Sequence, residues 1–327
     1  MDFHRIKNVL NLDFEEVKNI VLNTNDESFE FNSSKFLEGS FGIVYFHNSI
    51  VIKNLKYIKD LDDNILNGDD EFCYTIICSE SISSLRKFSS NFLKFKGFKR
   101  LVHDNEIYNF LSYEKVNGDL YDLFEFYRVN TSTLKNIIFQ LCMSLYISRT
   151  KIGFTHQDLH CGNVLFSRNE ILYYDYVYYY IDDKLYNIPK SEFIFILSDF
   201  DTSILDNLSN IENKNLITLR ERKKIKVKHF MSETGDIIYF IYDLYNTFKY
   251  QFNKYTPIKV KKFLLSVMKY VYSDIYLSEK DVSKNLYFSY FEDEPEDLSL
   301  KDFIDKFYSF IKYEPKENEI GFCLGLF

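Results

Sequence analysis

His156-Gln157-Asp158-Leu159-His160-Cys161-Gly162-Asn163-Val164-Leu165-Phe166 is the stretch whose reading decides this chain, with Asp199-Phe200-Asp201 following it. Polar residues run into an apolar segment, so the stretch predicts a loop feeding a strand. Asp158 is a carboxylate able to take a proton from a hydroxyl. Asn163, five residues on, offers an amide oxygen, and Asp199 a second carboxylate. Oxygen ligands of this kind suit Mg²⁺, which takes a few carboxylates together with phosphate oxygens. Phosphoryl transfer asks for this set: a positioned hydroxyl, metal ions and charge compensation. Two other readings stand beside it. One is a surface turn with scattered polar residues. The other makes His156 and His160 a zinc pair at i, i+4 spacing, although the HExxH glutamate is missing and Gly162 places the pair on a loop.

Working outward, Leu37-Glu38-Gly39-Ser40-Phe41-Gly42-Ile43-Val44-Tyr45 predicts a strand, a glycine turn and a second strand. Gly39 and Gly42 allow close approach of backbone to phosphates, and exposed amides around Ser40 can bind oxygen atoms. Val44 is placed to cover an adenine ring. A plain hairpin turn is the alternative. Lys53 stands eleven residues after Gly42, where an amine could reach the α- and β-phosphates. Such a lysine needs a carboxylate to hold it. Glu71 and Glu80 are the candidates, both near a helix expected over 72–88, and Glu80 is preferred. Glu114 to Val116 follow a strand and are expected to form a hinge whose backbone groups bind the adenine edge.

The coarse pattern is α+β. The first 35 residues mix an amphipathic stretch (Phe14, Val17, Ile20, Val21) with a polar link. Residues 36–116 read as β-rich with one helix. Residues 117–327 read as mostly helical, with helices expected over 131–150, 235–250, 257–277 and 300–312. An inserted hairpin is expected at about 170–197, turning at Asp182-Asp183-Lys184. The 327 residues are 46% apolar, enough for a sizeable core. The 33 Phe and 27 Tyr, with no Trp, suggest a coding bias more than a function. A net charge of −8 gives no support to nucleic-acid binding by the whole chain. Five Cys with no CxxC pair suggest neither a disulfide framework nor a zinc site. The absence of an apolar leader or a long apolar run predicts a soluble intracellular protein. Six Lys or Arg between Arg220 and His229 are either a docking site for an acidic or phosphorylated partner or a solvated segment.

In their order along the chain, the glycine turn, Val51-Ile52-Lys53, the hinge, the loop and Asp199-Phe200-Asp201 resemble the protein-kinase superfamily over about residues 36–250. The resemblance implies a bilobal fold with a small β-rich N-lobe and a larger helical C-lobe. It also implies ATP and Mg²⁺, or Mn²⁺, as cofactors. Asp158 becomes the catalytic base, Asn163 and Asp199 the metal ligands, Lys53 the phosphate-binding amine and Glu80 its partner. Asp236 resembles the family's buried aspartate that supports the catalytic loop. A narrower likeness is to serine/threonine kinases of large DNA viruses, mimivirus-like or poxvirus-like. It rests on His160, on Cys78-Ser79-Glu80-Ser81-Ile82 and on the long gap between Asn163 and Asp199, and implies host cytoplasm or virion as the location. Leu37 replaces the first loop glycine, Gln157 an arginine and Asp201 a glycine of the family pattern, and no Ala-Pro-Glu motif follows.

Three functions fit these residues. The first is a serine/threonine protein kinase, with ATP and a protein as its substrates. The second is a small-molecule kinase of the aminoglycoside or choline type, whose loops also read HxDxHxxN. The third is a pseudokinase scaffold, against which the retention of Lys53, Asp158, Asn163 and Asp199 argues.

Overall fold

The computed structural model describes residues 3–24, 36–38, 42–55, 58–59, 65–66, 68–103, 106–168, 174–208, 233–252, 258–271, 299–311 and 313–326. Gly39, Ser40 and the basic stretch from Arg220 to His229 lie outside the described residues. The fold is mixed α+β. The chain divides into two compact units: 1–87, 92–116 and 199–223 form the first; 88–91, 117–198 and 224–327 form the second.

The first unit is built on an antiparallel sheet. Strands β1 (Phe36–Glu38), β2 (Gly42–His47), β3 (Ile50–Leu55), β4 (Phe95–His103) and β5 (Glu106–Glu114) lie in the order β1-β2-β3-β5-β4. Strand β4 carries a register shift between Phe95, opposite Tyr113, and Gly97, opposite Ser112. Helix α1 (Phe14–Leu22) opens with a capping box: the Asp13 side chain accepts the Glu16 N–H at 2.7 Å, and the Glu16 carboxylate accepts the Asp13 N–H at 2.9 Å. That arrangement satisfies two of the donors a helix start leaves open. Val17 and Val21 on its inner face are fully buried.

Helix α2 (Asp69–Ser84) is buried on nearly every side. It packs on β4 and also against α1. A helix clamped from two sides has no wet face and therefore shows little amphipathic signal. The residues before α1 join this arrangement. His4 exchanges backbone hydrogen bonds with Phe98 on β4, at 3.0 and 2.9 Å.

The second unit centres on α4 (Thr131–Ile152), which follows β6 (Gly118–Asp119) and α3 (Leu120–Phe126). The Asn130 side chain caps α4 by accepting the Thr133 N–H at 3.0 Å. Leu134, Ile137, Ile138, Leu141 and Leu145 form its buried stripe. Two polar residues share that burial. Gln140 Oε1 accepts the Phe195 N–H at 3.0 Å, and Asn136 Nδ2 donates to the Pro189 carbonyl at 2.9 Å. These amides tie α4 to strand backbone, which is how buried polar groups avoid a desolvation penalty.

Strand β7 (Val164–Arg168) pairs with β10 (Phe193–Leu197) on one side and β6 on the other. Between them in sequence, β8 (Tyr176–Ile181) and β9 (Lys184–Pro189) form a hairpin. Its turn residues Asp182 and Asp183 both have left-handed backbones, φ 49° and 58°. Two such residues make the tight turn whose twist matches the strands. Helices α5 (Gly235–Asn246), α6 (Ile258–Val271) and α7 (Leu300–Ile311) follow. The last strand, β11 (Gly321–Leu326), pairs in parallel with β8. At Gly325 an added Cβ would stand 2.6 Å from the Tyr179 ring, so only glycine lets the two strands close. No helix among the described residues is long and apolar enough to cross a membrane.

Candidate active site

In the second unit the loop from His156 to Asn163 is fixed through its own backbone. Asp236, in the first turn of α5, accepts the His156 N–H at 2.7 Å and the Gln157 N–H at 2.8 Å. Burial pushes the Asp236 carboxyl up, while the nearby His156 and the two backbone donors hold it back. The fully buried His156 ring places Nε2 2.8 Å from the Ser198 carbonyl. With that carbonyl as acceptor, Nε2 carries the hydrogen. Lower in the loop, Asp243 on α5 accepts the Cys161 N–H at 2.8 Å. Gln157 has φ 71°, a left-handed backbone that costs a non-glycine residue roughly 1–2 kcal/mol. Such strain persists only where the surroundings over-determine it, and it concentrates at functional sites.

The loop presents Asp158, His160 and Asn163. The Asn163 Nδ2 donates to the Asp158 carbonyl at 2.9 Å, so its Oδ1 is turned to serve as an acceptor. The Asn163 carbonyl accepts both the Ser198 N–H and the Ser198 hydroxyl, each at 3.0 Å. The His160 Nδ1 accepts the Gly162 N–H at 3.1 Å and caps the short turn Cys161–Asn163. In the neutral ring the hydrogen then sits on Nε2. That nitrogen lies 3.8 Å from Asp158 Oδ2. His160 thus sets a donor beside the Asp158 carboxylate while the His156 ring bonds the Ser198 carbonyl, so the two histidines make separate contacts rather than a zinc pair.

In the first unit the centre is Lys53 on β3. Its Nζ donates to Asp199 Oδ1 and to Asp201 Oδ2, both at 2.6 Å. Burial alone would lower the Lys53 pKa; the charges and hydrogen bonds of Asp199 and Asp201 outweigh it and raise it. Burial pushes the Asp201 carboxyl up, and the Lys53 charge restrains it. Asp199 has φ 63°, the second left-handed residue among the motif positions. The following Phe200 is buried, and its carbonyl accepts the Ser203 N–H at 3.2 Å.

Glu80 is not the partner of Lys53. Arg5 Nε donates to Glu80 Oε1 at 2.8 Å, and Arg5 Nη2 donates to Oε2. The segment before α1 brings an arginine to the carboxylate that the kinase resemblance assigned to Lys53. Glu71 is buried in the first turn of α2. Glu114 turns its side chain to Arg86, while its N–H donates to the Lys94 carbonyl at 2.9 Å. Val116, two residues on, is half-buried. Val44 lies on β2 directly opposite Lys53 on β3. At Gly42 an added Cβ would stand 2.6 Å from the Asn54 carbonyl and 3.4 Å from the Lys53 side chain.

In the first unit Asp199, with 37% of its side chain exposed, is an oxygen donor of the kind a hard divalent cation takes, and Lys53 is a cation suited to phosphate. In the second unit the Asn163 Oδ1 is an oxygen donor of the same kind. Sequence reasoning did not reach Arg5, Asp243 or the engagement of Asp201 with Lys53. The only signal for the last was a second carboxylate two residues after Asp199.

Comparison with known proteins gives two partial likenesses. A protein of Acanthamoeba polyphaga mimivirus named as a putative serine/threonine-protein kinase is 31% identical over 117 residues, 35% of this chain and 29% of that protein. A protein of Dictyostelium discoideum named as a probable serine/threonine-protein kinase is 38% identical over 85 residues, 24% of this chain and 7% of that protein. The chain thus spans less than a third of the length of either relative. No family model matches. The chain is kinase-like in this limited sense.

Proposed function

We propose that this chain is an ATP-dependent serine/threonine protein kinase that uses Mg²⁺. The observation that carries the reading is the Lys53 ammonium on the Asp199 carboxylate at 2.6 Å, in a protein that also holds Asp158 and Asn163 on one braced loop. The names of the two relatives support it.

In this reading Lys53 neutralises charge on the nucleotide phosphates. The Asp199 carboxylate and the Asn163 amide oxygen hold the cation, which when bound offsets the phosphate charge. Asp158 orients the substrate hydroxyl and accepts its proton. The hydroxyl oxygen bonds to the γ-phosphorus as the bond to the bridging oxygen breaks, and ADP leaves. His160 offers its Nε2–H beside Asp158. Val44 and the backbone from Glu114 to Val116 take the adenine, and Gly42 lets the backbone approach the phosphates. Protein substrates, acidic or phosphorylated ones included, are the acceptors.

The test is incubation of the full chain with labelled ATP, Mg²⁺ and generic protein substrates, beside Asp158→Asn and Lys53→Met. Protein labelling by the wild type that both variants lose is the expected result. Labelling of small soluble alcohols alone would replace this reading with a small-molecule kinase. ATP binding without any labelling would replace it with a scaffold.

A further inference from the structure

We propose that Asp201 is the residue that positions Lys53 in this chain, taking a task that Glu80 cannot perform because Arg5 holds it. The inference rests on the reading of Lys53 as the phosphate-binding amine. Three sets of observations support it.

Lys53 donates to two carboxylates at the same distance, 2.6 Å, but the two are not equivalent. The Asp201 side chain is 3% exposed and the Asp199 side chain 37%. Asp199 therefore has open surroundings in which to meet a cation, whereas Asp201 is enclosed with the lysine. A lysine ammonium has three donors, so it can keep Asp201 while another bond is exchanged.

The surroundings of Asp201 are those of a fixed counter-charge. Its backbone follows the buried Phe200, whose carbonyl accepts from Ser203. Cys78 of α2 is fully buried and feels the Asp201 charge. Leu205, four residues on, donates its N–H to the Tyr74 hydroxyl of α2 at 3.3 Å, so the segment that carries Asp201 runs beside the helix that carries Glu80.

Glu80 itself is spoken for. Both its carboxylate oxygens accept from the Arg5 guanidinium, a two-pronged geometry that charge-assisted pairs favour. Among the described residues the partners of the Lys53 ammonium are Asp199 and Asp201. The counter-charge of the lysine is supplied by the Asp199–Asp201 segment and not by α2. Asp201 acts through Lys53 and is a positioning residue.

The experiment compares the wild type with Asp201→Asn, Asp201→Gly, Asp201→Glu and Glu80→Gln as full chains. Two quantities are read: the rate at which an amine-acylating reagent modifies Lys53, followed by mass spectrometry, and the affinity for a fluorescent ATP analogue without metal. A lysine held by fewer carboxylates is expected to react faster. Asp201→Asn should raise Lys53 modification about tenfold and weaken nucleotide affinity by a similar factor, with partial rescue in Asp201→Glu. Asp201→Gly removes the carboxylate without burying an amide and serves if Asp201→Asn does not fold. Glu80→Gln should change Lys53 modification by less than about twofold. The proposal is overturned if Glu80→Gln exposes Lys53 as much as Asp201→Asn does, or if neither Asp201→Asn nor Asp201→Gly changes its modification. The modification rate needs no nucleotide. An increase on Asp201→Asn in a protein that binds no ATP would uphold the Asp201–Lys53 pairing and sink the kinase reading instead.

Discussion

Arg5 and Glu80 form a two-pronged ion pair between the segment before α1 and the C-terminal part of α2. The arginine side chain is 45% exposed and the glutamate side chain 5%, so the pair is asymmetric. The carboxylate is desolvated, and the guanidinium is what compensates it. A buried charge that loses its partner costs more than the pair contributes when intact.

Arg5→Ala is accordingly expected to destabilise the protein by about 2 kcal/mol. Glu80→Gln should cost less than half as much, since a neutral amide carries no uncompensated charge. Urea unfolding of both variants and of the double variant measures this as a shift of midpoint at unchanged slope. The two effects must fall short of additivity by more than about 0.5 kcal/mol. Additive losses would mean that the contact is not energetically real.

Asp236→Asn tests what braces the loop from His156 to Asn163. The carboxylate accepts from the N–H groups of His156 and Gln157, and an amide has one acceptor oxygen to offer the two of them. One buried N–H is then orphaned, at or next to a residue whose backbone is already strained. A loss of about 2–4 kcal/mol is expected. Hydrogen exchange at His156 and Gln157 should quicken more than in α4, and phosphoryl transfer should fall with it. Unchanged exchange at these two amides would contradict the bracing role.

How much of this was legible in the sequence depends on the range of each interaction. The loop from His156 to Asn163 is a local motif, and its turn, its cap and the strand after it follow from neighbouring residues. The stripe of α4 and the turn at Asp182-Asp183 were legible for the same reason. Long-range choices were not. Glu80 and Arg5 are 75 residues apart, and nothing in either segment tells which cation Glu80 will meet. The strand from Gly321 to Leu326 carries no strong pattern of its own; it becomes a strand because β8 offers an edge and two glycines fit under Tyr176 and Tyr179. Asp201 looked like a departure from a family pattern until its distance to Lys53 gave it a partner.

His160 turns its two ring nitrogens to different neighbours, and different substitutions separate them. Its Nδ1 accepts the Gly162 N–H, while its Nε2 stands 3.8 Å from Asp158. Asn keeps an acceptor at the position of Nδ1 and removes the distal donor. His160→Asn should therefore hold stability within about 0.5 kcal/mol, whereas His160→Ala loses about 1 kcal/mol with the cap. Turnover should fall about tenfold or more in both, because both lack the Nε2–H beside Asp158. Wild-type turnover in His160→Asn would show that His160 is only a cap.

Gly42→Ala asks whether the β2–β3 hairpin sets the position of Lys53. An added Cβ would meet the Asn54 carbonyl at 2.6 Å, a backbone atom that cannot rotate away, and would touch the Lys53 side chain at 3.4 Å. Gly42 pairs with Leu55, and Val44 with Lys53, so separating the strands at Gly42 disturbs the lysine, which stands two residues along the same ladder. The expected cost is about 1–3 kcal/mol, typical of overpacking where the backbone must move. The sharper measurement is the fluorescence of bound nucleotide analogue. Its affinity should fall in Gly42→Ala by more than the stability loss explains at a temperature where the variant is folded. Because Gly42 carries no charge, weaker binding in a folded variant would come from the displaced Lys53 and the loss of close backbone approach, and equal binding would mean that the hairpin gives way without moving the lysine.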